Sequence, residues 1–410
     1  MPSDRPVAAR IAVTCGGDPA DVAAYSGSPS ALLGGLRQAG VQALALRGDL
    51  GPHAQISFER LLVAIALRPR DLAHPERLRQ RRHELRMTRG MTPVMPIARA
   101  WGARRGLARL GPVDAIVQYG VGFDLPRATR FVTIEDATLK QVVEDFPWPW
   151  IGDPSPGLLR RQHAQIRARY ARASACAFMS DWAARSAIED YGVSPDKVHV
   201  VGAGRNHEPP CRERDWSRPR ALFVGGDWKR KNGPAVLRAF ARVRERWPAA
   251  QLDLVGGHPA LESLPGVHGH GVLSLAKPAE REQVEELFAR ATFFVMPSLY
   301  EPAGIVYAEA QAAGLASIAT TSGGSRTIVG DAGIVVDPRD DDAIAAAMLE
   351  LAEPATAARL GALALARAPR FTWKAVAERL LRALAPPGVE VDGLEGFLAE
   401  QAQGEARSGA

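Results

Sequence analysis

Glu301 and Glu309, two glutamates eight positions apart, are the residues of this sequence best suited to chemistry. An apolar run from Thr292 to Met296 predicts a buried strand before them, and Pro297 and Ser298 open the loop that carries Glu301. Glu309 then falls roughly two turns into the helix that follows. Each carboxylate accepts hydrogen bonds from two hydroxyl groups, so the pair is suited to a polyhydroxyl ligand.

The start of the same helix offers a site for a negative charge. The first backbone N–H groups of a helix have no partner within it, and they bind anions readily. Two acids beside such a helix end suit a ligand with a polyhydroxyl part and a phosphate part, and a nucleotide-sugar is such a ligand. The N–H groups in question belong to Ala303, Gly304, Ile305 and Val306.

The segment from Glu301 to Glu309 resembles the E-x7-E signature of retaining glycosyltransferases of family 4, which have the two-domain GT-B fold. Taken alone, a glutamate pair at a helix start is as often a solvated face in a favourable helix-dipole position. Three further blocks in the family's order make the resemblance specific. They are Phe223 to Phe240 (strand, phosphate loop and helix), Ala310 to Gly324 (helix and glycine turn) and Asp331 to Pro338 (strand).

The resemblance implies a role for each residue of the phosphate loop. Lys231 matches the family's lysine, whereas Gly226 stands where the family has an arginine. Lys229 or Arg230 would then supply the second cation, and we favour Arg230 because a guanidinium binds phosphate through two hydrogen bonds. A surface cluster of cations is the alternative.

The resemblance also implies the roles of the two glutamates. Glu301 would position the sugar hydroxyls and Glu309 would bind the nucleotide ribose. The expected mechanism is a front-face displacement in which the leaving phosphate deprotonates the acceptor, with Glu301, Arg230 and Lys231 as the catalytic set. No metal or other cofactor is required, and the donor is a nucleotide-sugar such as a UDP- or GDP-sugar.

The N-terminal part supplies candidates for the opposite wall of the cleft. Gly17 or Gly27 would approach the donor phosphates, although a plain turn is an equal alternative. Glu135 and Asp136 stand where many relatives carry a histidine, and either acid would contact the acceptor or the sugar; Asp136 is equally well placed to cap a helix.

Two further segments resemble the family less specifically. Ser180, Asp181 and Trp182 predict a helix cap followed by a Trp that forms part of the cleft wall. His268 and His270 are predicted in a loop after a strand near Val267, where relatives seat the nucleobase; lone surface histidines are an equal alternative.

The elements that must position these residues alternate between strand-like and helix-like segments, which favours βαβ units and parallel sheets. Two Rossmann-like halves are the simplest interpretation, giving the α/β GT-B class. We expect an N-terminal domain over 1–205, joined by a returning helix over 372–385, a donor domain over 206–371 and a flexible tail over 386–410. The predicted strands are Arg10–Thr14, Ala43–Leu46, Ala115–Gln118, Phe131–Ile134, Ala175–Met179, Val198–Val201, Ala221–Val224, Gln251–Val255, Thr292–Met296, Ser317–Ala319 and Ile334–Val336.

Composition adds limits on the class of protein. The 410 residues exceed one usual core, and no apolar run approaches the roughly 18 residues of a membrane span. Without a leader at Met1, and with three cysteines of no metal-ligand spacing, we expect a cytoplasmic protein. The arginine-rich stretch 68–109 favours a solvated helix; a peripheral contact with the inner membrane face is the alternative.

These observations predict a metal-independent, retaining hexosyltransferase (EC 2.4) that moves a sugar to an acceptor carbohydrate, lipid or small molecule, with no nucleic-acid partner. A nucleotide-sugar epimerase or hydrolase on the same fold is one alternative, since fold does not fix function. A non-catalytic GT-B binding protein is another, because Gly226 replaces the expected arginine.

Overall fold

The computed structural model describes residues 9–51, 94–145, 154–259 and 264–384, with Ser57, Pro75, Glu76 and Arg79 in addition. Most of residues 68–93, the first part of the arginine-rich stretch 68–109, and the predicted tail 386–410 therefore lie outside the described residues.

A six-stranded parallel sheet forms the N-terminal half, in the order β2-β1-β3-β4-β5-β6. Its strands are β1 Arg10–Thr14, β2 Gln42–Leu46, β3 Ala115–Tyr119, β4 Phe131–Glu135, β5 Ala175–Phe178 and β6 Val198–Val200. Its helices are α1 Ser28–Gln38, α2 Val94–Leu110, α3 Pro156–Arg172 and α4 Asp181–Glu189, with shorter helical turns at Ala24–Gly27, Gln141–Asp145 and Pro195–Lys197.

A second six-stranded parallel sheet forms the C-terminal half, in the order β12-β11-β10-β7-β8-β9. Its strands are β7 Arg220–Gly225, β8 Gln251–Gly256, β9 Val267–Gly271, β10 Phe293–Val295, β11 Ala316–Thr320 and β12 Gly333–Val336. Its helices are α5 Gly233–Arg246, α6 Pro278–Arg290, α7 Ile305–Ala312, α8 Ser325–Val329, α9 Asp341–Ala352 and α10 Pro354–Arg367, followed by a short turn at Ala368–Phe371 and by α11 Trp373–Leu384.

The central strands of both sheets are mostly apolar and buried, as is typical of parallel sheets whose two faces are covered by helices. All three residues of β10 are buried, as are all five of β3. In the part of the chain that the structure describes, none of the helices is both long enough and apolar enough to cross a membrane.

Each sheet has one point at which the strand order reverses. In the first sheet the chain moves from β1 outward to β2 and then crosses to β3 on the other side of β1; in the second, β10 likewise lies beside β7, opposite β8. Ligands of open α/β sheets bind at such points, outside the carboxyl ends of the strands. The β1/β3 crevice and the β7/β10 crevice are therefore the places to look for a site.

The helix predicted over 372–385 is α11, which packs against α1 of the first half. A Cβ atom built on Gly35 would lie 2.3 Å from the carbonyl oxygen of Trp373, so only glycine allows the two helices to approach this closely. The Arg379 Nε atom donates to the Val201 carbonyl at 2.7 Å, which fastens α11 to the end of the first sheet.

Two predictions of local structure were wrong. Glu309 is the fifth residue of α7, little more than one turn from its start, because the helix begins only at Ile305. His268 and His270 lie within β9 and not in a loop after it. The His270 Nε2 atom is 2.8 Å from the Asp253 Oδ1 atom, in a buried polar cluster at the sheet edge.

Candidate active site

The loop between β7 and α5 brings two cations to one carboxylate. The Lys231 Nζ atom donates to Glu301 Oε2, and Arg230 Nη1 lies 3.6 Å from the same oxygen. Arg230 also donates to the Tyr300 carbonyl at 3.2 Å. Lys229, the neighbouring cation in sequence, is exposed. The structure thus brings together Arg230, Lys231 and Glu301, the three residues predicted as the catalytic set.

Local contacts hold this loop in place. The Arg230 backbone N–H donates to Asp227 Oδ1 at 3.1 Å, and the Arg230 carbonyl accepts from Leu299 at 2.8 Å. A Cβ atom on Gly225 would lie 2.9 Å from Lys231 Cγ, so glycine allows the lysine to cross the end of β7. The phosphate loop is therefore attached to the loop after β10 at the point where the strand order of the sheet reverses.

Glu301 is held on both its main-chain and side-chain sides. Its backbone N–H donates to the Ser322 carbonyl and its carbonyl accepts from Gly324, each at 2.9 Å. The Ser298 hydroxyl donates to Glu301 Oε2 at 3.2 Å. Only 6% of the residue is exposed. Burial lowers the pKa of Lys231, while the charge of Glu301 opposes that change.

The start of α7 lies directly beside Glu301. Gly304 precedes the helix with φ at 83°, and a Cβ atom there would lie 2.4 Å from the Tyr307 ring and 3.1 Å from Glu301 Cγ. The buried Tyr307 hydroxyl donates to the Met296 carbonyl at 2.6 Å, which fixes the ring. Among the hydrogen bonds of the described residues, none is donated by the backbone N–H groups at 303–306.

Glu309 faces the linker between the two halves. The backbone N–H groups of Asn206 and His207 face its carboxylate. Burial raises the pKa of Glu309 to about 7, although those two donors and the charge of Arg205 act in the opposite direction. The two glutamates therefore have different neighbours: Glu301 the phosphate loop, and Glu309 the linker.

Asp136 is an N-terminal residue that the charge of Glu301 reaches. It is exposed after the end of β4, yet surrounding protein atoms and the negative charge of Glu301 raise its pKa. Glu135 behaves differently: it is the last residue of β4, is buried, and faces the Tyr170 hydroxyl of α3. Burial raises the pKa of Glu135 to about 8. The structure therefore places Asp136 near Glu301 and turns Glu135 away.

Two of the predicted glycines border open space. A Cβ atom built on Gly17 or Gly226 would have no other atom within 4 Å. Gly27 is different, since it has φ at 80° and a Cβ atom there would lie 3.1 Å from the Val22 carbonyl oxygen. Of the two N-terminal alternatives, Gly17 is the one that a ligand can approach.

Asn206 in the linker was missed by the sequence analysis. Its Nδ2 atom donates to the Ser26 carbonyl at 2.5 Å, and its Oδ1 atom accepts from Trp373 Nε1 at 2.8 Å. Tyr25 and Ser26 both adopt left-handed backbone angles, with φ at 49° and 56°. One linker residue thus contacts Glu309, the N-terminal loop and α11. No motif marks this asparagine in the sequence.

Ser180 forms a direct contact between the halves. It caps α4 by accepting from the Ala183 backbone N–H at 3.3 Å, as predicted, and its hydroxyl donates to the Pro302 carbonyl at 3.4 Å. A Cβ atom on Gly324 would lie 2.1 Å from Ser180 Oγ.

Within the described ranges, no group of three or more His, Cys, Asp or Glu side chains is arranged to hold a metal ion.

Comparison with known proteins agrees with this geometry. Residues 218–354, which include β7, the phosphate loop and both glutamates, match the sequence model of the family described as "Glycosyl transferases group 1". This domain of the chain therefore matches the glycosyl transferases group 1 family. The family predicted from the sequence is thereby confirmed.

Curated relatives of the group 1 family match about half of the chain. A D-inositol 3-phosphate glycosyltransferase of Thermomonospora curvata is 32% identical over 231 residues, which cover 48% of this chain and 53% of the relative. A GDP-mannose-dependent alpha-(1-6)-phosphatidylinositol monomannoside mannosyltransferase of Mycolicibacterium smegmatis is 37% identical over 160 residues, covering 35% and 41%. The chain therefore spans only about half the length of these relatives.

Solved structures extend the comparison to the whole fold. The sucrose-phosphate synthase of Thermosynechococcus elongatus superposes with a TM-score of 0.60 over 91% of this chain and 98% of that one, at 19% identity. At this identity the likeness concerns the fold. It confirms the predicted GT-B architecture of two Rossmann-like halves.

Proposed function

We propose that this protein is a retaining, metal-independent glycosyltransferase that moves a sugar from a nucleotide-diphosphate-sugar to an acceptor hydroxyl. The observation that carries the proposal is the cluster at the β7/β10 crevice, where Lys231 and Arg230 meet Glu301 beside the start of α7. Such a cluster offers cations for a diphosphate and a carboxylate for sugar hydroxyls in one place.

In this proposal each group has one task. Lys231, Arg230 and the first N–H groups of α7 stabilise the charge that develops on the leaving diphosphate. Glu301 accepts hydrogen bonds from sugar hydroxyls, and Glu309 accepts them from the ribose. Asp136, which approaches Glu301 from the other half, accepts a hydrogen bond from the acceptor hydroxyl.

The transfer then proceeds on one face of the sugar. The bond from the anomeric carbon to the phosphate oxygen breaks as the bond to the acceptor oxygen forms, and the acceptor proton passes to the leaving phosphate. The protein supplies alignment and charge stabilisation and needs no covalent intermediate. Glu301 accordingly acts as a positioning carboxylate, consistent with its hydrogen bond to Ser298 and its contact with Lys231.

The test is a screen of UDP-, GDP- and ADP-sugars. GDP-mannose is the first donor to try, because one relative is named as dependent on it. We expect one donor to raise the midpoint of thermal unfolding, since a ligand that binds only the folded state stabilises it. We also expect slow release of nucleotide without acceptor, faster release with acceptor, and the same rates in EDTA. Binding without any turnover, or activity abolished by EDTA, would contradict the proposal.

Product analysis separates transfer from its alternatives. A hydrolase or epimerase reaches full rate with no acceptor present, whereas a transferase does not. The stereochemistry of the new bond tests retention directly: the product must have the anomeric configuration of the donor.

A further inference from the structure

Arg99 of α2 presents a guanidinium at the second crevice, between the carboxyl ends of β1 and β3. A Cβ atom built on Gly16 would lie 3.1 Å from Arg99 Cζ, and one built on Gly122 would lie 3.3 Å from Arg99 Nη1. Gly16 follows β1 and Gly122 follows β3. The guanidinium therefore packs across the point where the strand order of the N-terminal sheet reverses, the usual place for a ligand in such sheets.

The helix is held close enough to make this possible. A Cβ atom on Gly102 would lie 2.1 Å from the Asp49 carbonyl oxygen, so the absence of a side chain allows α2 to contact the loop after β2. Met95 and Ala98 are buried on the same helix. Arg99 is thus positioned by the packing of its helix and not by a flexible surface.

Within the described ranges, Arg99 makes no hydrogen bond or ion pair, and its Nε atom is buried without a partner. Two acids of the same region, Asp18 and Asp49, both pair with Arg47, at 2.5 Å and 3.1 Å. Burying a cation without a partner of opposite charge costs folding free energy, and a bound ligand that carries a negative charge would offset that cost.

The neighbours of Arg99 connect it to the candidate active site. The Tyr25 hydroxyl would lie 2.8 Å from the same Cβ atom on Gly16, so it adjoins the guanidinium. The Tyr25 ring lies against Tyr119, with centroids 5.2 Å apart. Asp136 acts electrostatically on both tyrosines, and Glu301 acts on Asp136. The two tyrosines therefore lie on the path from an acceptor hydroxyl at Asp136 to Arg99.

We propose that Arg99 and the Tyr25 hydroxyl bind a phosphate monoester carried by the acceptor, so that the substrate is a phosphorylated polyol. This inference rests on the proposed function and names its acceptor class. A guanidinium matches phosphate oxygens with paired donors, and a phosphate monoester carries more charge than a carboxylate, so it gains more from a lone cation. The phosphate belongs either to a soluble polyol phosphate or to a lipid headgroup.

The first experiment measures binding without a donor. Wild-type protein, Arg99→Met and Arg104→Met are titrated with an inositol monophosphate, a hexose 6-phosphate and the unphosphorylated counterparts. Arg104 is exposed on the same helix and is the matched control. We expect Arg99→Met to weaken binding of a phosphorylated ligand by about 10- to 150-fold, the range for a hydrogen bond to a charged group. We expect Arg104→Met to resemble wild type and Arg99→Lys to fall between.

The second experiment measures transfer, with the donor found in the nucleotide-sugar screen. We expect the KM of the phosphorylated acceptor to rise in Arg99→Met by a similar factor, while the KM of its unphosphorylated counterpart changes little. Vesicles containing phosphatidylinositol 4-phosphate, whose headgroup carries a phosphate monoester, replace the soluble phosphates in a parallel arm, and phosphatidylinositol vesicles are the control. An effect confined to the vesicles assigns the phosphate to a lipid headgroup, and an effect on soluble acceptors assigns it to a free polyol phosphate.

Two results would overturn the inference: no preference of wild type for phosphorylated ligands, or equal loss of both ligand types in Arg99→Met. A folding defect is recognised from the midpoint of thermal unfolding, and Arg99→Lys then serves in place of the Met variant. Because the titration uses no donor, its failure is distinct from failure of the proposed function, which would appear as no turnover of any nucleotide-sugar.

Discussion

Replacing Glu309 with Gln tests the assignment of the ribose site more sharply than any other single change. The substitution keeps the size of the side chain and removes its charge. The backbone N–H groups of Asn206 and His207 face Glu309, and a carboxylate has about four acceptor positions, so room remains for two ribose hydroxyls. Loss of the charge-assisted hydrogen bonds to the ribose should weaken binding of a nucleotide-sugar by about 1.5 to 3 kcal/mol, or about 10- to 150-fold.

The pH dependence of nucleotide-sugar binding gives a second test of the role of Glu309. Burial raises the pKa of Glu309 from 4.5 to about 7, so the carboxyl is mostly protonated at pH 6 and mostly ionised at pH 8. Ribose hydroxyls that donate to the carboxylate favour its ionised form. Wild-type affinity should therefore rise about tenfold between pH 6 and pH 8, the change in the ionised fraction of the free protein. Glu309→Gln should lack this rise.

The assay is calorimetric or fluorescence titration of both proteins with a nucleotide-sugar at pH 6, 7 and 8. A nucleotide-sugar is preferred to free UDP or GDP because its diphosphate is esterified at both ends and does not titrate in this window. Equal affinity of the two proteins at pH 8 would remove Glu309 from the ribose site. A wild-type affinity that is lower at pH 8 than at pH 6 would refute the linkage argument.

The same pKa makes an independent prediction for stability without ligand. The folded state holds the Glu309 proton more tightly than the unfolded state does, so this group contributes most below pH 4.5. Its contribution to the free energy of unfolding falls as the pH rises from 4.5 through 7. The total fall is up to about 3 kcal/mol, at about 1.36 kcal/mol per pKa unit. Glu309→Gln should therefore gain stability relative to wild type between pH 5 and pH 8 in urea unfolding.

Three further changes probe the phosphate loop and the start of α7. Lys231→Met should lower turnover about 10²-fold or more, as for loss of one transition-state donor, while the exposed Lys229→Met should change little. Glu301→Gln should lower turnover without weakening the binding of free nucleotide, because Lys231 loses its carboxylate partner and remains available to phosphate. An equal fall in free-nucleotide affinity would contradict this prediction. Gly304→Ala should reduce the free energy of unfolding by about 2 kcal/mol or more, because φ is 83° and the added Cβ atom meets the fixed Tyr307 ring. Gly226→Ala is the control and should change the free energy of unfolding little, because a Cβ atom there enters open space. Urea unfolding measures both.

The meeting of Lys231 with Glu301 at the β7/β10 crevice was largely predictable from the sequence. Lys231 follows a strand and opens a helix, and Glu301 follows another strand and precedes another helix. Residues after parallel strands meet at one edge of a sheet, so order along the chain is enough to bring them together. The strand order, which makes β7 and β10 neighbours, was not evident from local patterns and comes from the packing of the whole half.

The positions of the N-terminal residues were predicted less well, for reasons that can be stated residue by residue. β4 extends one residue beyond the predicted Ile134, so Glu135 belongs to the strand, and alternation turns it to the same face as Phe131 and Thr133. Asp136, just past the strand, is then the exposed acid. Arg99 lies in an arginine-rich stretch without distinctive spacing, and only the packing of α2 against the loop after β2 places it in the crevice.

In each half the crevice lies where the strand order reverses, but the charged residues at the two crevices are arranged differently. At the β7/β10 crevice the cations are paired with a carboxylate of the adjacent loop, so the charges are balanced within one domain. At the β1/β3 crevice Arg99 comes from a helix, and two nearby acids are already paired with Arg47. A motif of fixed spacing can describe the first arrangement because all its parts lie in loops after strands. It cannot describe the second, whose cation is set by how one helix packs. That difference explains why the cluster at the β7/β10 crevice was evident in the sequence and the proposed phosphate site was not.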